Sequence, residues 1–159
     1  MPRLRILALA GLLGLLTVAA PAIADNGFPY PGTRVISSGK SFKVLFQALD
    51  AAVRKHRMGI VGRASASMGA ARRGIEIPGN AVFGVYRNDF AVRMLRANVA
   101  AGIEAPLRFY LTEAADGTAR LIYRLPSAVF KPYGNAELNA MAGELDEIFA
   151  RIANDAVAD

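Results

Sequence analysis

The chain has 159 residues, of which 53% are hydrophobic and 20% charged, with a formal net charge of +6, no Cys, no Trp and one His. That apolar fraction excludes a disordered chain, and the length suits one domain rather than two. Without cysteine there is no disulfide framework, thiolate metal site, iron–sulfur cluster or cysteine nucleophile, and one histidine excludes a multi-histidine metal centre.

The first residues read as an address. Arg3 and Arg5 precede an apolar run from Ile6 to Ala20. That run is short of the roughly 20 residues a membrane span needs. It ends at Pro21-Ala22-Ile23-Ala24, an A-x-A site of the small residues a signal peptidase accepts. The expectation is a signal peptide over 1–24, cleaved after Ala24, and export to the bacterial periplasm or beyond. No cysteine follows the apolar run, so a lipoprotein reading fails. Cleavage removes two of the 19 basic residues and none of the 13 acidic ones, so the net charge falls from +6 to +4. No transmembrane segment is expected to remain.

Residues 25–32 (DNGFPYPG) form an extended leader, ordered only where its aromatics dock. Thr33 to Ser37 is a short strand. Ser41 caps a helix from Phe42 to His56, whose stripe of Phe42, Leu45, Phe46, Leu49, Ala52, Val53 and His56 recurs at helical spacing. Gly59 is placed to end it as the glycine after the helix. Met58 to Ser67 reads as a strand, 68–74 is ambiguous, and Gly79-Asn80 marks a turn. Ala81 to Tyr86 is apolar on both faces, as an interior strand is. Asn88 is expected to cap a second helix running from Asp89 to Ala101, stopped by Gly102.

Pro106 to Glu113 and Thr118 to Leu125 flank an Ala-Asp-Gly turn and read as a hairpin. A two-residue turn would set Phe109 and Leu111 beside Arg120 and Arg124. A three-residue loop with Gly117 in the left-handed region gives the other register. Phe109 and Leu111 then share a face with Leu121, Tyr123 and Leu125, while Arg108, Tyr110 and Thr112 share the opposite face with Arg120, Ile122 and Arg124. Burial favours this second register, because it keeps guanidinium groups out of the core. Pro126 and Pro132 punctuate a loop. Asn135 then caps a last helix to Val157, with Leu138, Met141, Leu145, Ile148 or Phe149, and Ile152 on its buried stripe. Gly143 within it suggests a close backbone contact.

The order β-α-β-β-α-β-β-α over 33–157 predicts one α+β domain. It is a two-layer sandwich with a mostly antiparallel sheet and the helices on one face. The other face must then meet water, a ligand or a second copy.

Several stretches carry a resemblance: Pro78-Gly79-Asn80-Ala81-Val82-Phe83-Gly84, Pro106-Leu107-Arg108, Asp116-Gly117 and Tyr123-Arg124-Leu125-Pro126. In this order and spacing they resemble the family called domain of unknown function 302, from about Thr33 to Val157. Departures are Asp89 where the family has proline, Ala105 before Pro106, and His56-Arg57-Met58-Gly59 where the family often has His-Gly. The resemblance implies a compact fold resembling the TATA-binding-protein-like sheet, often as a dimer. It implies no activity.

The candidate chemistry is sparse. His56 is a possible base or a haem or metal ligand, with Met58 or Met68 supplying sulfur, or it simply ends an apolar stripe. Ser65 and Ser67 lack a Gly-x-Ser-x-Gly elbow, and 69–74 lacks the Lys-Ser/Thr ending of a phosphate loop. Glu76, Asp89, Glu104 and Glu113 are scattered. Residues 54–96 are strongly basic and the last helix is acidic, which reads first as a solvated surface. Export disfavours nucleic acid as a partner. The best site is the polar face of the hairpin: Arg108, Tyr110, Arg120 and Arg124, with Tyr86 and Tyr123 as aromatic walls.

The reading is a non-catalytic, exported, homodimeric domain that holds a small planar or anionic ligand against its sheet. The alternatives are a periplasmic enzyme or haem/metal protein using His56, and a structural dimerisation module. No cofactor is named by the sequence. Intact mass of the exported protein is expected to correspond to a chain beginning at Asp25; any other first residue would refute cleavage after Ala24.

Overall fold

The computed structural model describes residues 27–158. The expected signal peptide and its cleavage site lie outside the described residues.

The chain runs β1 (Thr33–Ser41), α1 (Phe42–Lys55), β2 (Gly59–Ala64), α2 (Ala66–Ala71), β3 (Asn80–Tyr86) and α3 (Asn88–Ala97). A 3-10 segment (Val99–Glu104) leads into β4 (Leu107–Glu113) and β5 (Thr118–Arg124). α4 (Pro126–Phe130), a 3-10 turn (Lys131–Tyr133) and α5 (Ala136–Val157) complete it. The strands form one five-stranded sheet in the order β1-β5-β4-β3-β2, and every neighbouring pair is antiparallel.

The β4–β5 hairpin takes the register expected. Phe109 faces Tyr123, Leu111 faces Leu121, and Tyr110 faces Ile122. Ala114 donates to the Thr118 carbonyl at 2.7 Å, leaving a three-residue loop with Gly117 at φ +81°. Only glycine takes that backbone angle without cost. Phe109, Leu111, Leu121 and Tyr123 therefore point to one side, where α1 and α5 cover them.

α1 supplies Leu45, Leu49 and Val53 to that layer, and α5 supplies Leu138, Met141, Leu145, Phe149 and Ile152. The Phe149 ring stacks on Phe109 at 4.6 Å between centroids, and Tyr123 tilts against Phe109 at 5.1 Å. Each such side chain, when fully buried, contributes about 1.5–3 kcal/mol. Ser41 and Asn135 cap α1 and α5 as expected, accepting from the amides of Val44 and Leu138.

Several boundaries differ from the sequence reading. α1 ends through Arg57, not Gly59. Arg57 has φ 58°, its amide donates to the Arg54 carbonyl, and the Met58 amide donates to the Val53 carbonyl. This is a Schellman ending with a non-glycine residue in the left-handed position. Met58, 5% exposed and held in the core, fixes it there. Gly59 instead starts β2.

The strand expected to reach Ser67 stops at Ala64, because the Ser65 hydroxyl accepts from the Met68 amide and caps α2. α3 ends at Ala97 rather than Ala101. There the Asn98 side chain accepts from the Ala100 amide and starts the 3-10 segment. Arg87, not Asn88, occupies the α3 cap position, with no side-chain cap hydrogen bond. Gly79-Asn80 is not a turn. Gly79 is hydrogen-bonded both to the backbone amide and to the carboxylate of Glu113, and Asn80 opens β3. The loop expected around Pro126 and Pro132 is helical, with a proline in the first turn of each piece.

Gly143 makes no close contact. A Cβ built there meets nothing within 4 Å, and the residue is exposed. Gly143→Ala is therefore expected to stabilise the domain by about 0.5–1 kcal/mol, read as a higher denaturation midpoint at unchanged m-value.

Candidate ligand-binding site

The alternation that buries Phe109 and Leu121 sends the intervening side chains to the opposite face. None of these belongs to the helix-packed core. The strand pairings arrange them in rows across the sheet. One row runs from Val35 through Ile122 and Tyr110 to Val82 and Ala64. On one side of it lie Ser37, Arg120, Thr112 and Asn80. On the other side Arg124 pairs with Thr33, and Arg108 pairs with Gly84, which pairs in turn with Gly62. The hairpin register, carried one step beyond Phe109 and Tyr123, sets Arg108 opposite Arg124. Four residues of extended strand separate Arg124 from Arg120, about 13 Å.

These rows contain three arginines and no carboxylate. Among the described residues none of Arg108, Arg120 and Arg124 has an ion-pair partner. Asp116 is near Arg120 but is committed to its own turn, accepting from the Thr118 amide at 2.9 Å and hydroxyl at 2.6 Å. Those bonds, the hydroxyl one foremost, hold its carboxyl below the usual range.

Arg124 is the most constrained of the three. Its Nε is buried and has no hydrogen-bond partner. Its guanidinium lies 4.9 Å from the centroid of the Tyr30 ring, which is 61% exposed. A buried donor without an acceptor costs roughly 1–3 kcal/mol. An anion beside it would remove that cost.

The structure brings together Arg108, Tyr110, Arg120 and Arg124 on this face. Tyr86 stands at the end of β3, its hydroxyl donating to Asn88 Oδ1 at 3.4 Å. Tyr123 does not join them, and its expected role as an aromatic wall is corrected. It points into the core between Phe109 and Phe149, where burial raises its hydroxyl pKa. Its odd position in β5 puts it on the helix side, with Leu121.

Two features of the face were not singled out from sequence. Tyr30 of the leader supplies the aromatic ring that Tyr123 does not. Gly84 and Gly62 pair side by side next to Arg108, and the Pro106 ring covers Gly84, which is buried. A Cβ on Gly84 would meet Pro106 Cγ at 3.0 Å, so glycine there lets Pro106 pack against the strand. Glycine inside the apolar stretch 81–86 was the available signal, since glycine in a strand often marks close approach.

His56 lies elsewhere. Its Nε2 is 2.7 Å from Asp155 Oδ2, and Lys55 Nζ is 2.9 Å from the same oxygen. This joins the C-terminal ends of α1 and α5. Among the described residues no group of three or more His, Cys, Asp or Glu is placed to hold a metal. Met58 and Met68 line different concavities, so they do not converge with His56 on one site. The basic stretch and the acidic helix are partly partners: Arg93 makes two hydrogen bonds to Glu144, at 2.8 and 2.6 Å, beside the Lys55–Asp155 pair. No described helix is long and apolar enough to cross a membrane.

A single antiparallel sheet backed by helices on one face defines an α+β two-layer sandwich. The chain belongs to the family described as Domain of unknown function DUF302, whose model matches residues 33–156. Among solved structures it is similar to the crystal structure of an uncharacterized conserved DUF302 protein from Bacillus stearothermophilus. The TM-score is 0.71 at 14% identity, over 80% of this chain and 99% of that one. At this identity the likeness is one of fold. No curated protein matches the chain.

Lys55 first and His56 second hold the Asp155 carboxyl below its usual pKa, and Arg93 does the same for Glu144. The unfolded chain therefore takes up protons before the folded one as pH falls. The stability from these pairs is present above the ordinary carboxylate values of 3.8 and 4.5 and is lost as pH drops through the lower folded values. Asp155→Asn is expected to lower stability at neutral pH and to flatten the acid limb of a stability–pH curve; an unchanged acid limb would refute the linkage.

Proposed function

We propose that the protein is an exported, non-catalytic binding domain that holds a planar, anionic small molecule against the helix-free face of its sheet. The observation that carries this reading is Arg124, whose buried Nε has no acceptor within a patch of three arginines and no carboxylate. Arg108 and Arg124 on adjacent strands repel each other, and an anion between them offsets that repulsion. Their forked guanidinium groups suit carboxylate, sulfonate or phosphate. The rings of Tyr110 and Tyr30 offer flat surfaces to a planar body, and Tyr86 stands at the edge.

The homodimer that the family resemblance implies would use another surface. Mating two copies of this face about a two-fold axis would bring arginine rows together with no counter-charge. His56 is bonded to Asp155 where α1 and α5 end, and among the described residues no group of three or more His, Cys, Asp or Glu gathers with it to hold a metal.

The test is native mass spectrometry of the purified protein with an absorbance scan, followed by titration with an aromatic sulfonate. Arg108→Ala and Arg124→Ala are each expected to weaken binding by about 1.5–3 kcal/mol, or roughly ten- to a hundredfold. His56→Ala is expected to leave it unchanged. Binding that survives both arginine variants, or a Soret band lost on His56→Ala, would overturn the proposal.

A further inference from the structure

A groove lies apart from the arginine face, where the end of β2 meets α1 and α2. Its volume is about 480 Å³, within the roughly 300–1,000 Å³ of small-molecule sites. Phe46 of α1, Arg63 and Ala64 of β2, and Met68, Gly69 and Arg72 at α2 line it. Arg63 pairs with Phe83 and lies over its ring, so the groove opens on the helix side of the sheet.

Its apolar wall is only half covered. The Phe46 ring packs against Phe83 at 4.8 Å between centroids and stays partly exposed on its other side. Met68 is 52% exposed. Gly69 adds no side chain, and a Cβ built there meets nothing within 4 Å.

The charge around the groove is positive. No carboxylate lines it. Asp50, the acid paired with Arg63, also pairs with Arg54, so one carboxylate answers two guanidinium groups. Arg63 is held in place by that pair and by the Phe46 and Phe83 rings, whose centroids are 5.9 and 5.3 Å away. Arg72 is exposed and has no ion-pair partner among the described residues. The Ser65 hydroxyl is already committed, accepting from the Met68 amide and bonded to the Ser67 hydroxyl.

We propose that this groove binds a medium-chain fatty acid, with its carboxylate at Arg72 and Arg63 and its alkyl chain against Phe46, Met68 and the open side of Gly69. Guanidinium groups match a carboxylate in charge and in fork geometry. The unbranched, flexible side chain of methionine conforms to a flexible alkyl chain. A short anion without a tail would leave the apolar wall wet, and a neutral alcohol would leave the arginines unanswered. Each half of the ligand therefore adds affinity that the other cannot supply.

The test is titration of the purified full chain with octanoate, followed by the methionine methyl resonances in NMR. Octanoate is expected to shift the Met68 methyl saturably and to leave those of Met58, Met94 and Met141, which are buried in the core, in place. Acetate and octan-1-ol are each expected to bind about tenfold more weakly or worse. Arg72→Gln removes a charge that no protein group pairs, and is expected to weaken octanoate binding by about tenfold. Gly69→Leu fills the groove from a position with room for a side chain, and is expected to abolish the Met68 shift. Both variants should keep the far-ultraviolet circular dichroism of the wild type. No saturable Met68 shift, octan-1-ol binding as tightly as octanoate, or binding unaltered in either folded variant would each overturn the proposal.

Discussion

The register of the β4–β5 hairpin is the constraint on which both layers depend. Ala114 and Thr118 close a three-residue loop, and Gly117 takes the left-handed angle that loop needs. The register then turns Phe109, Leu111, Leu121 and Tyr123 towards α1 and α5, and Arg108, Tyr110, Arg120 and Arg124 away from them. A slip of one residue along one strand would set arginine beside Phe109 in a layer that excludes water. The desolvation of a guanidinium there outweighs any gain from an alternative turn. One glycine thus helps to fix both the core and the candidate site.

The helical layer is fastened to this sheet by packing and pinned at its ends by charge. Phe149 of α5 stacks on Phe109, which ties the longest helix to the central strand. Lys55 and His56 meet Asp155 where α1 and α5 end, and Arg93 meets Glu144 where α3 crosses α5. The histidine that looks most like chemistry in the sequence therefore works as a structural tie. Arg108, Arg120 and Arg124 of the hairpin, by contrast, have no ion-pair partner among the described residues.

Much of the architecture was legible from pattern. The caps Ser41 and Asn135, the buried stripe of α5 and the hairpin faces all follow from local periodicity and turn chemistry. Two of the misplaced boundaries come from competition between a local signal and a distant contact, while the ends of β2 and α3 were set by the local caps Ser65 and Asn98. Gly59 looked like the end of α1, but Met58 enters the core and makes Arg57 take the left-handed position. Gly79-Asn80 looked like a turn, but Glu113 on β4 binds Gly79 and draws the segment into the sheet. The site divided in the same way. Its arginines and Tyr110 were readable from strand alternation. The Tyr30 contact required knowledge of where the leader lies against β5.

By itself the sequence determined the α+β class, its five strands and three longest helices, and the two faces of the hairpin. These depend on interactions between residues close in the chain, so spacing alone reports them. Only the tertiary structure decided the strand order β1-β5-β4-β3-β2, the bonding of His56 to Asp155 and the burial of Arg124 Nε. Each of these joins residues far apart in sequence. Such contacts are set by which apolar faces pack together, and spacing along the chain carries no record of that choice.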